Sequence, residues 1–371
     1  MKLTIERATL LKSLGHVQSV VERRNTIPIL SNVKLEARGG RLAFNATDMD
    51  LDINESVATS IATEGATTAP VHILYDIVRK LPDGADVQIE GGTDGRLAVK
   101  AGRSRFSLAC LPIEDFPLMA GGELPHTFSL SAADLGAIID HTKFAISTEE
   151  TRYYLNGIYL HAATRDRSKV LCAVATDGHR LARVQIALPV GAKDLPGVIV
   201  PRKAVTEIRR LIEDVEGDVG IALSDTKIRV TIGDSVLTSK LIDGTFPDYE
   251  RVIPTANDKI LKVSRALFAE AVDRVSAIST DRSRAVKVEV SKGKLVISAS
   301  SPDAGSATEE IEADFDASPI EIGFNARYLL DITQQIGGDT LELAFSDAAS
   351  PTIVRAPQDT SALYVLMPMR V

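Results

Sequence analysis

The chain of 371 residues has only two cysteines, Cys110 and Cys172, and neither has a His or Cys nearby at metal-ligand spacing. Each lies in an alternating apolar run and reads as a small core residue. No apolar run reaches the length of a bilayer span, and Met1-Lys2-Leu3-Thr4-Ile5-Glu6 is polar and alternating, unlike a signal peptide. The expected location is the cytoplasm. Gly-x-Ser-x-Gly and the Gly-x-x-x-x-Gly-Lys phosphate loop are both missing, and Gly91-Gly92 and Gly121-Gly122 read as turns. Net positive charge is missing too: a formal charge of −8 argues against coating nucleic acid with the whole surface, though it leaves room for one basic face. What remains is ordinary globular composition, 44% hydrophobic and 25% charged, over a length that suits two or three domains.

The chain repeats itself. Val170 to Ala175 is a strand-like run ending in Thr176-Asp177, and Leu42 to Ala46 is a similar run ending in Thr47-Asp48, 129 positions earlier. A strand followed by an amphipathic helix occurs three times. Leu3-Thr4-Ile5 precedes Ala8, Leu11, Leu14, Val17 and Val21 at helical spacing, with Pro28 closing the segment. Thr127 to Leu130 precedes Leu135, Ile138, Ile139 and Thr142, capped by Ser131 with Asp134 three residues on. Ile260 to Val263 precedes Leu267, Ala271 and Val275, capped by Ser264. Short amphipathic helices alternate with these at Pro70 to Leu81, Val200 to Leu211 and Phe324 to Ile336, each followed by strands with Gly or Asp turns. Asp115-Phe116-Pro117 returns as Thr245-Phe246-Pro247. Three repeats of about 120 residues follow, each with two helices on mainly antiparallel sheets, an α+β fold. The expected domains are 1–125, 126–256 and 257–371.

Thr176-Asp177-Gly178-His179-Arg180-Leu181 looks like an active site, but a catalytic loop is seldom repeated along one chain. His179 has no nucleophile to serve. Asp48, Asp50 and Asp52 alternate along what reads as one strand face, and alternating acids are more often a solvent face than a cation site. The reading is a non-enzyme without metal or cofactor. A metal-dependent enzyme built on Asp48, Asp50, Asp52 and His179 is the rival, and a scaffold that never encircles DNA is a second.

With the repeats, Arg152-Tyr153-Tyr154-Leu155-Asn156-Gly157, the Thr176 to Leu181 run, Phe246-Pro247-Asp248-Tyr249 and the ending Tyr364 to Arg370 together, the chain resembles the beta subunits of bacterial DNA polymerase III, the sliding clamps, from end to end. The resemblance implies the DNA clamp fold: three clamp domains per chain, and a head-to-tail homodimeric ring around double-stranded DNA that is met without regard to sequence. It also implies a processivity factor. The partners would be the polymerase III alpha subunit, an ATP-driven clamp loader complex, and other polymerases and repair proteins carrying a clamp-binding peptide.

The peptide pocket implied by the match comprises Leu155, Thr176, Gly178, His179, Arg180, Leu181, Pro247, Arg251, Val252, Asn325, Tyr328, Val365, Leu366, Met367, Pro368, Met369 and Arg370. Methionines, branched aliphatics and prolines make an adaptable apolar slot, and Arg180, Arg251 and Arg370 can hold a peptide's polar groups. Pro351 stands where the family often has serine. Arg24, Tyr153 and Tyr154 match DNA-contacting positions, whereas His72 and Glu149 depart from the family there. Independently of the match, the short helices carry basic residues at Arg79, Lys80, Arg202, Lys203, Arg209 and Arg210, with more on or beside the longer helices at Arg7, Lys12, Arg23, Lys143, Arg265 and Arg274. Ring closure would bring Phe106 and Leu108 against Ile278, with Arg103 and Arg105 facing Glu309, Glu310 and Glu312.

Overall fold

The computed structural model describes residues 1–92, 95–119, 121–279 and 284–370. The chain divides into two compact units, one of Met1–Gly136, Pro189–Asp194 and Lys203–Leu241, the other of Ala137–Leu188, Leu195–Arg202 and Ile242–Val371. Six α-helices fall among the described residues: α1 (Arg7–Gln18), α2 (Val71–Lys80), α3 (Ala132–Thr142), α4 (Arg202–Leu211), α5 (Arg265–Ser276) and α6 (Ala326–Thr333). Each begins where a strand ends, the alternation that the sequence announces.

The first unit holds a five-stranded sheet in the order Ser60–Thr63, Lys2–Glu6, Asp86–Gly91, Arg96–Ala101, Ser104–Ala109. Its second sheet has eight strands, in the order His126–Ser131, Asp218–Leu223, Lys227–Ile232, Ser235–Lys240, Leu51–Ala58, Arg41–Thr47, Asn32–Arg38, Gly65–Pro70. The second unit repeats the design with an eight-stranded sheet, Val198–Pro201, Gly157–Arg165, Ser168–Thr176, Arg180–Ala187, Ala362–Leu366, Thr352–Arg355, Thr340–Phe345, Lys259–Ser264. Its other sheet has four strands, Gly305–Glu312, Lys294–Ser301, Ala285–Ser291, Ile320–Asn325.

Each eight-stranded sheet is thus two quartets from successive repeats, joined edge to edge. Leu237 stands opposite Ile53 at the first junction, and Ala182 opposite Tyr364 at the second. Both junctions are antiparallel, so the backbone donors and acceptors of two edge strands are satisfied by one another.

Helices cover one face of these sheets. In α1, Leu10, Leu14 and Val17 are fully buried, each contributing about 1.5–3 kcal/mol of transfer free energy. The stripe runs through Leu10 and Ser13, not Leu11 as the spacing suggests. In α5 the buried face is Phe268, Ala271, Val272 and Val275, and Leu267 is half exposed. Leu267, Ala271 and Val275 are spaced by four, which drifts off a 3.6-residue face, and Phe268 brings the larger apolar surface inward. Pro28 opens a 3-10 turn, Pro28–Ser31, well after α1 has ended. Ser131 bonds the Asp134 backbone N–H and Ser264 that of Leu267, as capping residues should. Cys172 is buried, while Cys110 is only partly so.

The acidic alternation at Asp48, Asp50 and Asp52 is not one strand face. The strand starts at Leu51, Met49 turns through φ 77°, and Asp52 is buried at 6% exposure.

Candidate functional site

Two turns of the same build explain why Thr176-Asp177 imitates a catalytic motif. In the first, the Thr47 hydroxyl donates to the Leu51 carbonyl and accepts from Met49 N, while Asp48 Oδ1 accepts from Asp50 N and Leu51 N. In the second, the Thr176 hydroxyl donates to the Arg180 carbonyl and accepts from Gly178 N, while Asp177 Oδ1 accepts from His179 N and Arg180 N. The Thr-Asp pair is a strand-to-strand turn that spends both side chains on the backbone. The third turn residue takes positive φ in both, 77° at Met49 and 87° at Gly178. At the second, a Cβ would come within 2.6 Å of Arg152 Nη1, so a side chain there would have to displace the tip of Arg152.

Beside the second turn lies a cleft of about 180 Å³ lined by Leu155, Thr176, Gly178, Arg180, Leu181, Pro247, Asp248, Tyr249, Val252, Val365 and Met367. Its floor is the face of the eight-stranded sheet at the junction on which Leu181 and Val365 stand opposite one another. Leu155, Val174, Leu181, Ile199, Phe246, Tyr249 and Val365 form one buried cluster beneath. Phe246 stacks on Tyr159 at 4.8 Å between centroids. The Tyr249 hydroxyl meets His161 Nε2 at 2.9 Å and accepts from Arg165, and burial pushes its pKa up to about 12. Apolar side chains remain exposed at the mouth, Val252 at 48% and Met367 at 39%.

Arg180 lines this cleft, but its guanidinium is already engaged. It donates to Asp331 Oδ2 (2.5 Å), Asp177 Oδ2 (3.1 Å) and the Phe144 carbonyl (2.7 Å), and lies 4.3 Å from the Tyr328 ring centre. These contacts tie the Arg180 side chain to Asp177, Asp331 and the Phe144 backbone. Asn325 caps α6 by accepting from Arg327 N and Tyr328 N, Tyr328 packs on Arg180 and near His179, and Leu366 is fully buried. Arg251 is exposed and paired with Asp248. The tail is held through Met367 N to the His179 carbonyl and Met369 N to the Gly323 carbonyl, leaving Arg370 exposed and Pro368 partly so.

The cleft therefore gathers Leu155, Thr176, Gly178, Arg180, Leu181, Pro247, Val252, Val365 and Met367 from the expected set. His179, Arg251, Asn325, Tyr328, Leu366, Pro368, Met369 and Arg370 lie around or beneath it. Asp248 and Tyr249 were missed, although Phe246-Pro247 had already marked their segment as one that returns from the preceding repeat.

Basic residues are less uniformly available than their count suggests. Arg24, Arg79, Lys80 and Arg202 are exposed, and Tyr153 is 53% exposed with its ring edge-on to Tyr154. Lys203 is paired with Asp48 and Glu22. Arg210 is drawn into a partly buried network with Glu207 and the Gly15 and His16 carbonyls, and Arg7 ties α1 to the Val78 and Arg79 carbonyls. His72 is held by Gln18 and the Val21 carbonyl, and Glu149 pairs with Arg152. The acids of the rival metal site have separate partners: Asp48 with Lys203, Asp50 with Lys240, Asp52 with Asn45 and Asn54. Among the described residues no three His, Cys, Asp or Glu side chains converge on a metal position, and no helix is long and apolar enough to cross a membrane.

Three copies of one α+β unit sharing sheets across their junctions, with a hydrophobic cleft at the last of these, define a DNA clamp. The chain belongs to the bacterial DNA polymerase III beta subunit family: its N-terminal, central and C-terminal domain models match residues 1–120, 129–248 and 250–370. Its function is that of a DNA sliding clamp, a processivity factor for polymerase III. The beta sliding clamp of Caulobacter vibrioides is 55% identical over 372 residues, covering 100% of both chains, and that of Pseudomonas aeruginosa 40% identical over 373 residues with the same coverage. A Bartonella birtlesii DNA polymerase III subunit beta sliding clamp bound to griselimycin superposes with a TM-score of 0.97 at 50% identity, covering 100% of both chains.

Proposed function

We propose that the cleft beside Leu181 takes the short clamp-binding peptide of the polymerase III alpha subunit, the clamp loader, and other polymerases and repair proteins. The observation that carries this is an apolar slot with Arg180 already held in its wall and a mouth lined by exposed Val252 and Met367. Such a site binds without first paying to organise itself. That related clamps are known bound to griselimycin accords with a ligand-accepting surface of this kind. The protein needs no chemistry of its own, so it is not an enzyme. Met367→Ala tests the cleft, since it removes contact area at an exposed position and leaves the core intact. Peptide affinity measured by calorimetry should fall about tenfold, the scale of one or two lost methylene contacts. Unchanged affinity would remove the cleft from the reading.

We infer the mode of ring closure from the sheet edges. The domains inferred are 1–125, 126–256 and 257–371, each contributing two quartets of strands, with Ser60–Thr63 added to the edge of the very first. At both internal junctions the fourth strand of one repeat's second quartet pairs with the fourth strand of the next repeat's first quartet. Among the described residues two such strands lack a partner on their outer side: Gly305–Glu312 and Ser104–Ala109 stand at sheet edges. Pairing them between two copies closes a head-to-tail homodimer. Carrying the internal register over sets Phe106 against Ala307, Arg105 against Thr308 and Ser104 against Glu309, with Arg103 falling beside Glu310.

Within one chain Glu309 already accepts from Arg274 and Glu310 pairs with Lys294, so Arg103 and Arg105 would meet acids held in place. Leu108 and Ile278 would then share the apolar centre with Phe106, and exposed Glu312 would lie at the rim. Arg24, Arg79, Lys80, Arg202, Lys203, Tyr153 and Tyr154 are the groups proposed to face the encircled duplex, with phosphate contacts that carry no sequence information. Retention on a nicked circle after loading, followed by release when the circle is cut, is the result that a topological tether gives. Equal retention on both forms would mean that direct contact, not enclosure, holds the protein.

A further inference from the structure

The first junction carries a second cavity that the clamp reading leaves unused. It measures about 210 Å³ and is lined by Lys34, Glu36, Ala43, Asn45, Asp52, Asn54, Leu118, Met119, Gly121, Arg229 and Thr238. Strand pairing places it at the position the peptide cleft holds one repeat later. Thr47 stands opposite Asp52 and Asp52 opposite Thr238, as Thr176 stands opposite Leu181 and Leu181 opposite Val365. The connecting segments correspond too: Phe116-Pro117 leads to Leu118 and Met119 where Phe246-Pro247 leads to Asp248 and Tyr249.

The chemistry is inverted. Where the second junction has Val174 and Leu181 on its floor, the first has Asn45 and Asp52, exposed at only 8% and 6%. Asp52 Oδ2 accepts from Asn45 Nδ2 at 3.0 Å and its Oδ1 from Asn54 Nδ2 at 2.6 Å. That arrangement spends the donor end of Asn45 and leaves its Oδ1 buried without a partner. A buried acceptor without a donor, next to a buried carboxylate whose hydrogen-bond donors are two neutral amides and on which Arg229 acts only through its charge, is a site short of N–H groups. The bases present are at the rim and have acceptors: Lys34 Nζ is 3.3 Å from Glu36, and exposed Arg229 donates to Thr238. Rim bases would draw an anion against two carboxylates, so the deficit at the floor decides the sign.

We propose that this cavity binds a guanidinium group, the side chain of an arginine, with its planar fork on the Asp52 carboxylate and a further N–H to Asn45 Oδ1. A carboxylate accepts up to about four hydrogen bonds, so the fork adds to the two amide donors without displacing them. Leu118, 78% exposed, stands at the mouth, where it can cover the arginine stem.

The test titrates the full-length protein with agmatine, and separately with acetyl-Gly-Arg-Gly amide, by calorimetry and saturation-transfer NMR. Both probes should bind. Equal affinities mark a free guanidinium ligand, tighter binding of the peptide marks a partner's arginine, and either supports the site. The citrulline peptide, which keeps the shape and loses the charge, should bind at least about tenfold more weakly. Asp52→Asn should produce the same loss, and Leu118→Trp, an exposed change that blocks the mouth without touching the floor, should do so in a protein whose melting temperature is unaltered. The clamp-binding peptide must bind these variants normally, which separates this site from the cleft of the second unit. Failure of both cationic probes, equal binding of the citrulline peptide, preference for a glutamate peptide, or indifference to Leu118→Trp would each overturn the assignment.

Discussion

The two junction sites share a backbone plan and differ in nearly every side chain. At the second, Val174, Leu181, Val365 and Tyr249 make a dry floor and wall. At the first, Asn45, Asp52, Thr238 and Met119 hold the corresponding places and leave a polar hollow. Duplication supplies the geometry, a sheet surface overlaid by a Phe-Pro segment, and the side chains then decide what it can hold. A Tyr ring over a Val fills space by dispersion. A Met beside an Asn-Asp pair cannot do so without stranding polar groups, so the space stays open.

The largest effect should come from giving the second site the character of the first. Leu181→Asp places a carboxylate on an apolar floor, and peptide affinity should drop more than about a hundredfold, the scale of an unpaired buried charge; calorimetry on the folded variant checks this. The junction comparison also extends to the proposed third joint, between chains. Arg105→Cys with Thr308→Cys should cross-link a dimer quantitatively under oxidation, because directly opposed antiparallel residues lie about 4.5–5.5 Å apart at Cα, inside disulfide range. Arg105→Cys with Glu310→Cys should not, and the reverse pattern on a denaturing gel would shift the register by two residues. Replacing Phe106 and Ile278 by Asp should yield monomers in sedimentation.

A smaller effect belongs to pH. Burial raises the Asp52 carboxyl above its ordinary 3.8. The charged form is what a guanidinium needs, so cation binding should be full well above that raised pKa and disappear as pH falls through it, with Glu36, Lys34 and Arg229 as the other charged groups facing the cavity. An affinity flat from pH 7 to pH 3.5 would contradict a role for the Asp52 charge.

Much of the architecture could be read in advance because duplication writes itself twice. Thr47-Asp48 and Thr176-Asp177 are separated as the repeats are, and Ser131 with Asp134 names a helix start from local chemistry alone. Asp52 was misread because a solvent face and a polar cavity look identical in an alternating pattern. Only the Met49 turn, which starts the strand at Leu51, tells them apart. The ties that hold Arg180 in the cleft wall are illegible for a different reason. Its partners Asp331 and Phe144 lie 151 and 36 residues away, and no local pattern reports an ion pair of that span. Leu267 shows the ordinary uncertainty of helix phase: one residue of shift moves a side chain about 100° around the axis.

The edge strands Ser104–Ala109 and Gly305–Glu312 carry one more implication. A bare sheet edge is a template for whatever strand arrives next, and a head-to-tail joint has no built-in stop: it either closes on itself or grows into a filament. Which of the two outcomes a chain reaches is set by the rotation that the joint carries from one copy to the next. A change in that rotation would turn a finite particle into an endless one while the edges kept the same residues to offer.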